Sequence, residues 1–305
     1  MTGSPNNQTR SYLMKRFAVI GIHPRAKLGQ NFLIDLNLLR LLYDSAQLEE
    51  NDVVLEVGTG TGSLTGLMSN TAAKVVTVEI DQVMHQLARE ELQDRTNIRF
   101  IQGDILKNKN RLNQEVLEVI REELASVPNS RFKLVANLPY CVATPLMSNL
   151  LLTDFPPFSM TVTIQKELAD RITAKPSTKD YSALSLWMQS QNKCRIIRIM
   201  PPSVFWPRPK VNSAILQMVY DQKLRNRIPD LPFFHRFCRE IFLHRRKFLR
   251  SVLISMLKGK LEKSDVDNIM IHHHFDASTR ADALSTATLL KLSETIRRLQ
   301  PDKNV

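Results

Sequence analysis

Hydrophobic positions in the first half of the chain alternate between short unbroken apolar runs and longer runs with helical spacing. The apolar runs predict buried strands over 52–57, 74–80, 97–102 and 132–136. The helical spacing predicts helices over 35–46, 63–70, 81–91 and 112–124. Asp35 is the expected N-cap of the first helix. Strands that alternate with helices indicate an α/β fold with a doubly wound, Rossmann-like parallel sheet.

The pattern changes along the second half of the chain. Further strands are predicted over 160–165, 195–200 and 214–220, with a helix over 166–172. After Asp221 the spacing is wholly helical. We therefore predict three parts: a flexible basic N-terminal arm over 1–20, a Rossmann-like domain over 21–222, and a small all-α domain over 223–305.

Composition is that of a globular protein. The chain has 305 residues, of which 43% are hydrophobic and 24% charged. It contains no apolar run of the roughly 20 residues that span a bilayer, and its polar start lacks a secretory signal, so we expect a cytoplasmic protein without membrane contact. Cys141, Cys194 and Cys238 are too few and too widely spaced for a disulfide framework or a metal knuckle.

The charge is strongly positive and unevenly distributed. The formal net charge is +12. Between Lys223 and Arg250 nine lysines and arginines face two acids, a net charge of +7. Such a surplus favours a polyanionic partner, because lysine and arginine displace counterions from phosphates. A basic but inert surface is the alternative. Phenylalanines within 223–250 give this stretch an apolar side, so we expect its charges to align on the opposite face.

A glycine-rich turn follows the first predicted strand. Gly58, Gly60 and Gly62 alternate with threonines, and glycine is required where the backbone turns sharply against a ligand. Glu79 ends the second strand, where a carboxylate can accept hydrogen bonds from ribose hydroxyls, and Asp104 follows the third. The set predicts a cofactor that contains a nucleoside. A glycine-rich turn flanked by surface acids is the other interpretation.

Asn137-Leu138-Pro139-Tyr140 follows the fourth predicted strand. An exocyclic adenine amine is a poor nucleophile because its lone pair is delocalised into the ring. The side-chain oxygen of Asn137 and the carbonyl of Leu138 could each accept one amine hydrogen and keep the lone pair aimed at a methyl group. Pro139 makes the turn rigid, and Tyr140 offers a face on which an extruded base can stack. A strand-ending turn with a buried tyrosine is the simpler alternative.

These motifs and several longer strings resemble the ribosomal RNA adenine dimethyltransferases, a family that includes the small-subunit dimethyladenosine transferase and the erythromycin-resistance methylases. The resemblance covers roughly residues 23–255. Besides the motifs above, it rests on the strings at 23–33, 103–104, 165–167, 205–213 and 245–250. The last string is more similar to the small-subunit enzyme than to the resistance methylases.

The resemblance implies a role for each matching residue. S-adenosylmethionine would be held by Asn31, Leu33, Gly58, Glu79, Asp104 and Asn137. Of these, Asn31 and Leu33 would line its methionine end, Glu79 its ribose and Asp104 its adenine. The catalytic set would be Asn137, Leu138, Pro139, Tyr140 and Phe205, with Phe205 as a second aromatic wall for the target base. RNA would be bound by Arg245, Arg246, Lys247 and Arg250.

The resemblance also implies the reaction. Two methyl groups would go to the N6 amine of each of two adjacent adenosines near the 3′ end of small-subunit ribosomal RNA, directly and without a covalent enzyme intermediate. The expected partner is this RNA within an assembling small subunit, and the protein is expected to be a monomer without a metal. Residues 21–222 would be the catalytic domain and 223–305 the RNA-binding domain.

Two positions and the length of one connection depart from the family pattern. Cys141 stands where the family usually has asparagine or a similar polar residue, and Phe248 stands where threonine is common. The connection from Asp104 to Asn137 is longer than expected, which could alter docking to the RNA. None of these departures touches the two proposed acceptors.

Four other interpretations compete with this one. Consecutive histidines at 272–274 cannot all face one metal ion from a regular element, so we do not expect a metal site. A covalent mechanism through Cys141 is unnecessary for an amine. A relative that keeps the fold and serves as an assembly or transcription factor would need no catalysis. A DNA adenine methyltransferase would often carry Asp-Pro-Pro-Tyr in place of residues 137–140.

Overall fold

The computed structural model describes residues 9–25 and 28–300, which form two compact units. The first unit contains the described residues up to Ala169 together with Arg195–Tyr220. The second contains Asp170–Cys194 and the described residues from Asp221 onwards. The predicted boundary at 222 lies near the division after Tyr220, but the structure groups 170–194 with the helical unit.

Eleven strands occur in the described part of the chain. They are β1 (Phe32–Leu33), β2 (Asp52–Val57), β3 (Lys74–Glu79), β4 (Ile98–Gln102), β5 (Leu106–Asn108), β6 (Arg111–Leu112), β7 (Arg131–Asn137), β8 (Ser159–Gln165), β9 (Asn192–Met200), β10 (Phe205–Trp206) and β11 (Ser213–Tyr220). Seven of them form one sheet in the order β4-β3-β2-β7-β8-β11-β9. Strands β4, β3, β2, β7 and β8 are parallel, whereas β11 is antiparallel to β8.

The helices fill the connections between strands and make up most of the second unit. Those that begin in the first unit are α1 (Arg10–Ile20), α2 (Leu36–Ser45), α3 (Ser63–Met68), α4 (Gln82–Glu91), α5 (Gln114–Ser126), α6 (Tyr140–Leu150) and α7 (Lys166–Thr173). The later ones are α8 (Ala183–Gln189), α9 (Gln222–Arg225), α10 (Leu231–Ile241), α11 (Leu249–Met256), α12 (Lys263–His272) and α13 (Thr286–Leu299). None of the helices described is long and apolar enough to cross a membrane.

Continuous burial explains why the central strands read as unbroken apolar runs. Every residue of β2 is buried between β3 and β7, and Val53, Val54 and Leu55 are fully inaccessible to solvent. A parallel strand covered on both faces requires apolar side chains on both. The predicted α/β fold is therefore confirmed, and the carboxyl ends of β2, β3, β4 and β7 meet along one edge of the sheet.

The prediction of a loose arm over 1–20 must be corrected for residues 10–20. These residues form α1, whose Leu13 and Phe17 are buried against Phe32, Met84 and Leu87. Two apolar residues four positions apart suffice to bury one face of a helix, a stripe too short to stand out in a basic segment. Residues 1–8 of the predicted arm, and residues 26–27 of the 23–33 string, lie outside the described residues.

The second unit is helical, as predicted for the chain after Asp221. Helix α10 begins after Asp230, whose side chain accepts a hydrogen bond from the backbone N–H of Phe233, and it packs against α8, α11 and α13. The ring of Trp187 on α8 lies 6.3 Å from that of Phe234 on α10. This aromatic contact is one reason why residues 170–194 belong to the helical unit.

Candidate active site

A cavity of about 280 Å³ lies in the first unit where the parallel strands end. Its wall contains eight of the predicted residues: Asn31, Gly58, Glu79, Asp104, Asn137, Leu138, Pro139 and Tyr140. These residues come from five segments that are far apart in sequence. The parallel sheet brings them together because each segment follows the carboxyl end of a strand or packs over one.

The glycine turn leaves room that any side chain would fill. Gly58 has φ +85°, and a Cβ atom there would lie 3.3 Å from the ring of Pro139. Gly60 has φ +55°, and its Cβ would lie 3.1 Å from the ring of Phe32. A side chain at either position would combine backbone strain with steric conflict at the cavity wall. The turn therefore brings the bare backbone to the edge of the cavity.

Glu79 is held at the end of β3 by backbone donors. One carboxylate oxygen accepts from the N–H of Gly60 and the other from the N–H of Asp81, both at 2.9 Å. Burial raises the pKa of Glu79, and these two hydrogen bonds oppose that rise. Each oxygen keeps a second lone pair, so the carboxylate can still accept from two hydroxyls of a ligand.

Asp104 lines the cavity from an exposed position. Its Oδ1 accepts a hydrogen bond of 2.8 Å from the backbone N–H of Leu106. This Asx turn fixes the carboxylate at the entrance to the β5–β6 hairpin. The hairpin and α5 account for most of the long connection between Asp104 and Asn137.

Asn137 ends β7, and its amide orientation is set by Asn31. The side-chain Nδ2 donates to the backbone carbonyl of Asn31 over 2.8 Å. A carbonyl can only accept, so the NH₂ group must face it and the oxygen of Asn137 must point elsewhere. Within residues 9–25 and 28–300, no hydrogen bond reaches this oxygen or the carbonyl of Leu138. Both acceptors are therefore available beside the cavity.

Tyr140 begins α6, a helix that the sequence pattern did not reveal. Its hydroxyl forms a 2.7 Å hydrogen bond with the hydroxyl of Ser213, the first residue of β11. Burial raises the pKa of the phenol, and the bond to Ser213 lowers it. The ring is half-buried and lines the cavity, so it offers one flat side to a ligand.

Two predicted residues do not line the cavity. Leu33 and Phe205 are opposite each other in the short antiparallel pair β1–β10 and are 2% and 3% exposed. Both belong to a hydrophobic cluster that also contains Leu39 and Ile215. Phe205 therefore presents no open face for a base in this structure, and the residue that β1 brings to the cavity wall is Phe32 rather than Leu33.

A family model described as ribosomal RNA adenine dimethylase matches residues 22–297. The chain belongs to the ribosomal RNA adenine dimethylase family. Among its relatives, ribosomal RNA small subunit methyltransferase A of a Geobacillus species is 34% identical over 293 residues, covering 96% of this chain and 97% of that protein. The protein of the same name from Listeria innocua is 37% identical over 270 residues, covering 88% and 89%.

Solved structures agree with this family in fold. A dimethyladenosine transferase from Plasmodium falciparum has a TM-score of 0.72 at 22% identity, covering 87% of this chain and 97% of that one. The 23S rRNA methyltransferase ErmE has a TM-score of 0.60 at 21% identity, covering 87% and 99%. The Rossmann-like methyltransferase fold, the enzyme class of rRNA adenine dimethyltransferase and the cofactor S-adenosylmethionine are thereby confirmed.

Glu56, on β2, is a buried residue to which the sequence analysis gave no role. It is 1% exposed beneath the glycine turn, and one oxygen accepts from the hydroxyls of Thr65 and Thr77 at 2.5 and 2.7 Å. Burial outweighs these bonds and raises its pKa to about 8, so the side chain is mostly protonated at neutral pH. Thr77 also bonds to Thr59 in the turn at 2.6 Å. An acid in the interior of an otherwise apolar run was the signal for it.

The segment before Asn31 is attached to the start of α4. The side-chain Nε2 of Gln30 donates to Asp81 over 3.1 Å, and the guanidinium of Arg25 lies 3.5 Å from the same carboxylate. Gln30 in turn accepts from the backbone N–H of Arg25 at 2.7 Å. Asp81 also caps α4, so one carboxylate connects this family string to the strand end that carries Glu79.

The four predicted RNA contacts of this family member divide into two kinds. Arg245 pairs with Asp282 at 3.0 Å and donates to the carbonyls of Thr178 and Lys179. Arg250 forms a bidentate pair with Asp267 at 2.6 and 3.0 Å. By contrast, Arg246 and Lys247 are exposed, and among the described residues neither forms an ion pair. Arg246 and Lys247 are therefore the two residues that are available to a phosphate.

The cysteines and the consecutive histidines lie in different surroundings. Cys141 lines the cavity as an exposed free thiol, while burial raises the pKa of Cys238 well above its ordinary value. His273 stacks on Phe275 at 5.3 Å and bonds to Thr295 at 2.9 Å. In the part of the chain that the structure describes, no group of three or more metal-binding side chains is found.

Proposed function

We propose that this protein dimethylates the N6 amine of two adjacent adenosines near the 3′ end of small-subunit ribosomal RNA. The family supports adenine in ribosomal RNA as the target. Relatives named ribosomal RNA small subunit methyltransferase A support the small subunit, since they match nearly the whole chain. The enzyme would act as a monomer in the cytoplasm, on RNA within an assembling subunit.

The observation that carries this proposal is the hydrogen bond from Asn137 to the carbonyl of Asn31. It turns the side-chain oxygen of Asn137 away from β1 and leaves it free to accept. The Leu138 carbonyl supplies a second acceptor one residue later. An amine that donates one hydrogen to each acceptor is forced towards tetrahedral geometry. Its lone pair is then no longer delocalised into the ring and points into the cavity.

The residues present fit S-adenosylmethionine. The bare backbone at Gly58 and Gly60 allows close approach, Glu79 retains lone pairs for ribose hydroxyls, and Asp104 lies at the next strand end for the cofactor adenine. When bound, this cofactor supplies a methyl group on a positively charged sulfur. The cavity residues hold and orient it, and Asn31 would line its methionine end.

Direct transfer accounts for all atoms without an enzyme nucleophile. When bound, the cofactor would supply the methyl group that the amine nitrogen accepts, and that nitrogen would release one proton to solvent. A methylated ammonium that is conjugated to a purine is strongly acidic, so a general base is unnecessary. Tyr140 would stack on the extruded adenine and Pro139 would keep the two acceptors in place.

RNA would be bound mainly by the basic second unit. Arg246 and Lys247 are proposed to contact phosphates, because they are exposed and unpaired in the described structure. Arg245 and Arg250 are proposed to support this surface through their ion pairs with Asp282 and Asp267.

The test is methyl transfer to defined substrates. Purified protein would be given methyl-labelled S-adenosylmethionine with unmodified small subunits, large subunits or duplex DNA, and the digested nucleosides would be analysed by mass spectrometry. We expect N6,N6-dimethyladenosine from small subunits alone. Binding to the subunit without incorporation would favour an assembly factor. Preferential transfer to duplex DNA would favour a DNA adenine methyltransferase.

A further inference from the structure

The loop 207–212 is fixed at both ends to the wall of the active-site cavity. It follows Trp206, which is paired with Phe32 between β10 and β1, and Phe32 lines the cavity. It leads into Ser213, whose hydroxyl bonds to that of Tyr140 at 2.7 Å, and Tyr140 also lines the cavity. We therefore place the six residues between these anchors at the rim of the cavity, since none of them lines its wall.

Two further features restrict the loop. The carbonyl of Asn212 accepts a 2.9 Å hydrogen bond from the backbone N–H of Lys166, the first residue of α7. Pro207 and Pro209 have fixed φ angles and no N–H group, so two of the six φ angles of the loop cannot vary. Side chains carried by this loop are thus held near the rim before any ligand binds.

The loop carries two cations, Arg208 and Lys210, which are both exposed. Arg208 is two residues from Trp206 and Lys210 is three residues from Ser213, so each lies within about 11 Å of chain from an anchor. Among the described residues neither forms an ion pair, whereas Arg99 and Arg121 of the same unit pair with acids. Two uncompensated charges at a rigid rim are suited to an anion that remains outside the cavity.

We propose that Arg208 and Lys210 bind the phosphates on either side of the target adenosine. This inference rests on the proposed function. A base that enters the cavity must leave its stack, while its ribose and flanking phosphates stay at the mouth. Cations on the rim would hold this strand and offset the loss of stacking. The two residues position the substrate through its backbone and are independent of base sequence.

The test compares two variants of equal charge. R208Q/K210Q removes both rim cations. R89Q/R198Q removes two exposed arginines from α4 and β9, neither of which is placed on the cavity wall. Methyl transfer to small subunits and RNA binding would be measured over a range of salt concentrations, and thermal unfolding would show that both variants fold.

We expect R208Q/K210Q to raise KM for RNA roughly ten-fold and to reduce the slope of log affinity against log salt by about 1.4, the value for two contacts to a single strand. Its kcat should stay within about two-fold of wild type, because lost phosphate contacts weaken ground and transition states alike. R89Q/R198Q should leave KM and slope unchanged, and R208K/K210R should restore both.

The outcomes separate the inference from the proposed function. If wild-type protein methylates small subunits while R208Q/K210Q keeps its KM and salt slope, the rim assignment alone is wrong. If R89Q/R198Q has the same effect as R208Q/K210Q, general electrostatics explain the result and the assignment is again wrong. If wild-type protein methylates no RNA at all, the proposed function fails first.

Discussion

The side chain of Asn137 is oriented by the backbone carbonyl of Asn31, which lies 106 positions earlier in the chain and accepts its Nδ2–H at 2.8 Å. This contact connects the end of β7 to the segment that precedes β1. It fixes which end of the amide faces the cavity, and so it makes an acceptor of the side chain rather than a donor. The chemistry proposed for the site depends on this orientation.

Replacing Asn137 should therefore remove transfer without removing the cofactor site. We expect Asn137→Ala to lower kcat by about 10²–10³, as for loss of one preorganised polar group in other enzymes. Affinity for S-adenosylmethionine, measured by calorimetry, should fall only modestly because Glu79 and the glycine turn are intact. Asn137→Asp should also be inactive, since a carboxylate has no N–H for Asn31. Near-normal turnover in either variant would refute the acceptor role.

Tyr140 should act through its ring and not through its hydroxyl. Tyr140→Ala removes the stacking face and should cost about 1–3 kcal/mol of transition-state binding, read as kcat/KM for RNA. Tyr140→Phe keeps the face and should stay close to wild type. Ser213→Ala removes the same 2.7 Å hydrogen bond from the other side and serves as the matched control. The idea fails if Tyr140→Phe loses as much activity as Tyr140→Ala.

Glu56 should make stability depend on pH. Its pKa rises from 4.5 in the unfolded chain to about 8 in the folded protein. Between these values the folded state holds a proton that the unfolded state has released, so the free energy of unfolding falls as pH rises, by about 1.4 kcal/mol per pH unit. Glu56→Gln should abolish this contribution. Urea unfolding across that pH window measures it.

The control for Glu56 is Glu118→Gln, which replaces an exposed carboxylate on α5 and should keep the wild-type slope. Identical slopes for wild type and Glu56→Gln would show that Glu56 is ionised in the folded protein. The turn would then be supported by a charged side chain, contrary to the assignment above.

Arg245 and Arg246 are adjacent but should behave differently. Arg245→Gln leaves Asp282 and two carbonyls without their donor, so it should destabilise the protein by about 1–3 kcal/mol, seen as a lower Tm. Arg246→Gln should leave Tm unchanged and reduce the salt slope of RNA binding by about 0.7–0.9. An Arg245→Gln variant with an unchanged Tm would contradict this division. So would an Arg246→Gln variant with an unchanged salt slope.

Much of the fold could be predicted because the central strands are buried on both faces. Strand β2 was predicted with the bounds observed, and β3, β4, β7, β8 and β11 to within one residue. A strand that is buried on both faces has an unbroken apolar run, and such a run can be recognised in a single sequence. Helix α6 was missed because it begins inside the 137–140 motif, where local chemistry and not periodicity sets the sequence.

The site was predictable where it depends on strand ends, and less so where it depends on side-chain direction. Gly58 follows a strand, Glu79 and Asn137 end strands, and topology alone places the three together. Phe205 and Leu33 were assigned by resemblance, but the β1–β10 pairing buries both. The separation of residues along the sequence could not show that Arg245 is paired with Asp282, because those residues meet only through tertiary packing.

The central claim is tested most directly by mapping methylated adenosines in the host's small-subunit RNA. The map would be made with the gene intact, with it deleted, and with the deletion complemented by either the wild-type or the Asn137→Ala gene. We predict that dimethylation of two adjacent adenosines near the 3′ end is lost on deletion, and that only the wild-type gene restores it. Full modification in the deletion strain, or its restoration by Asn137→Ala, would contradict the account.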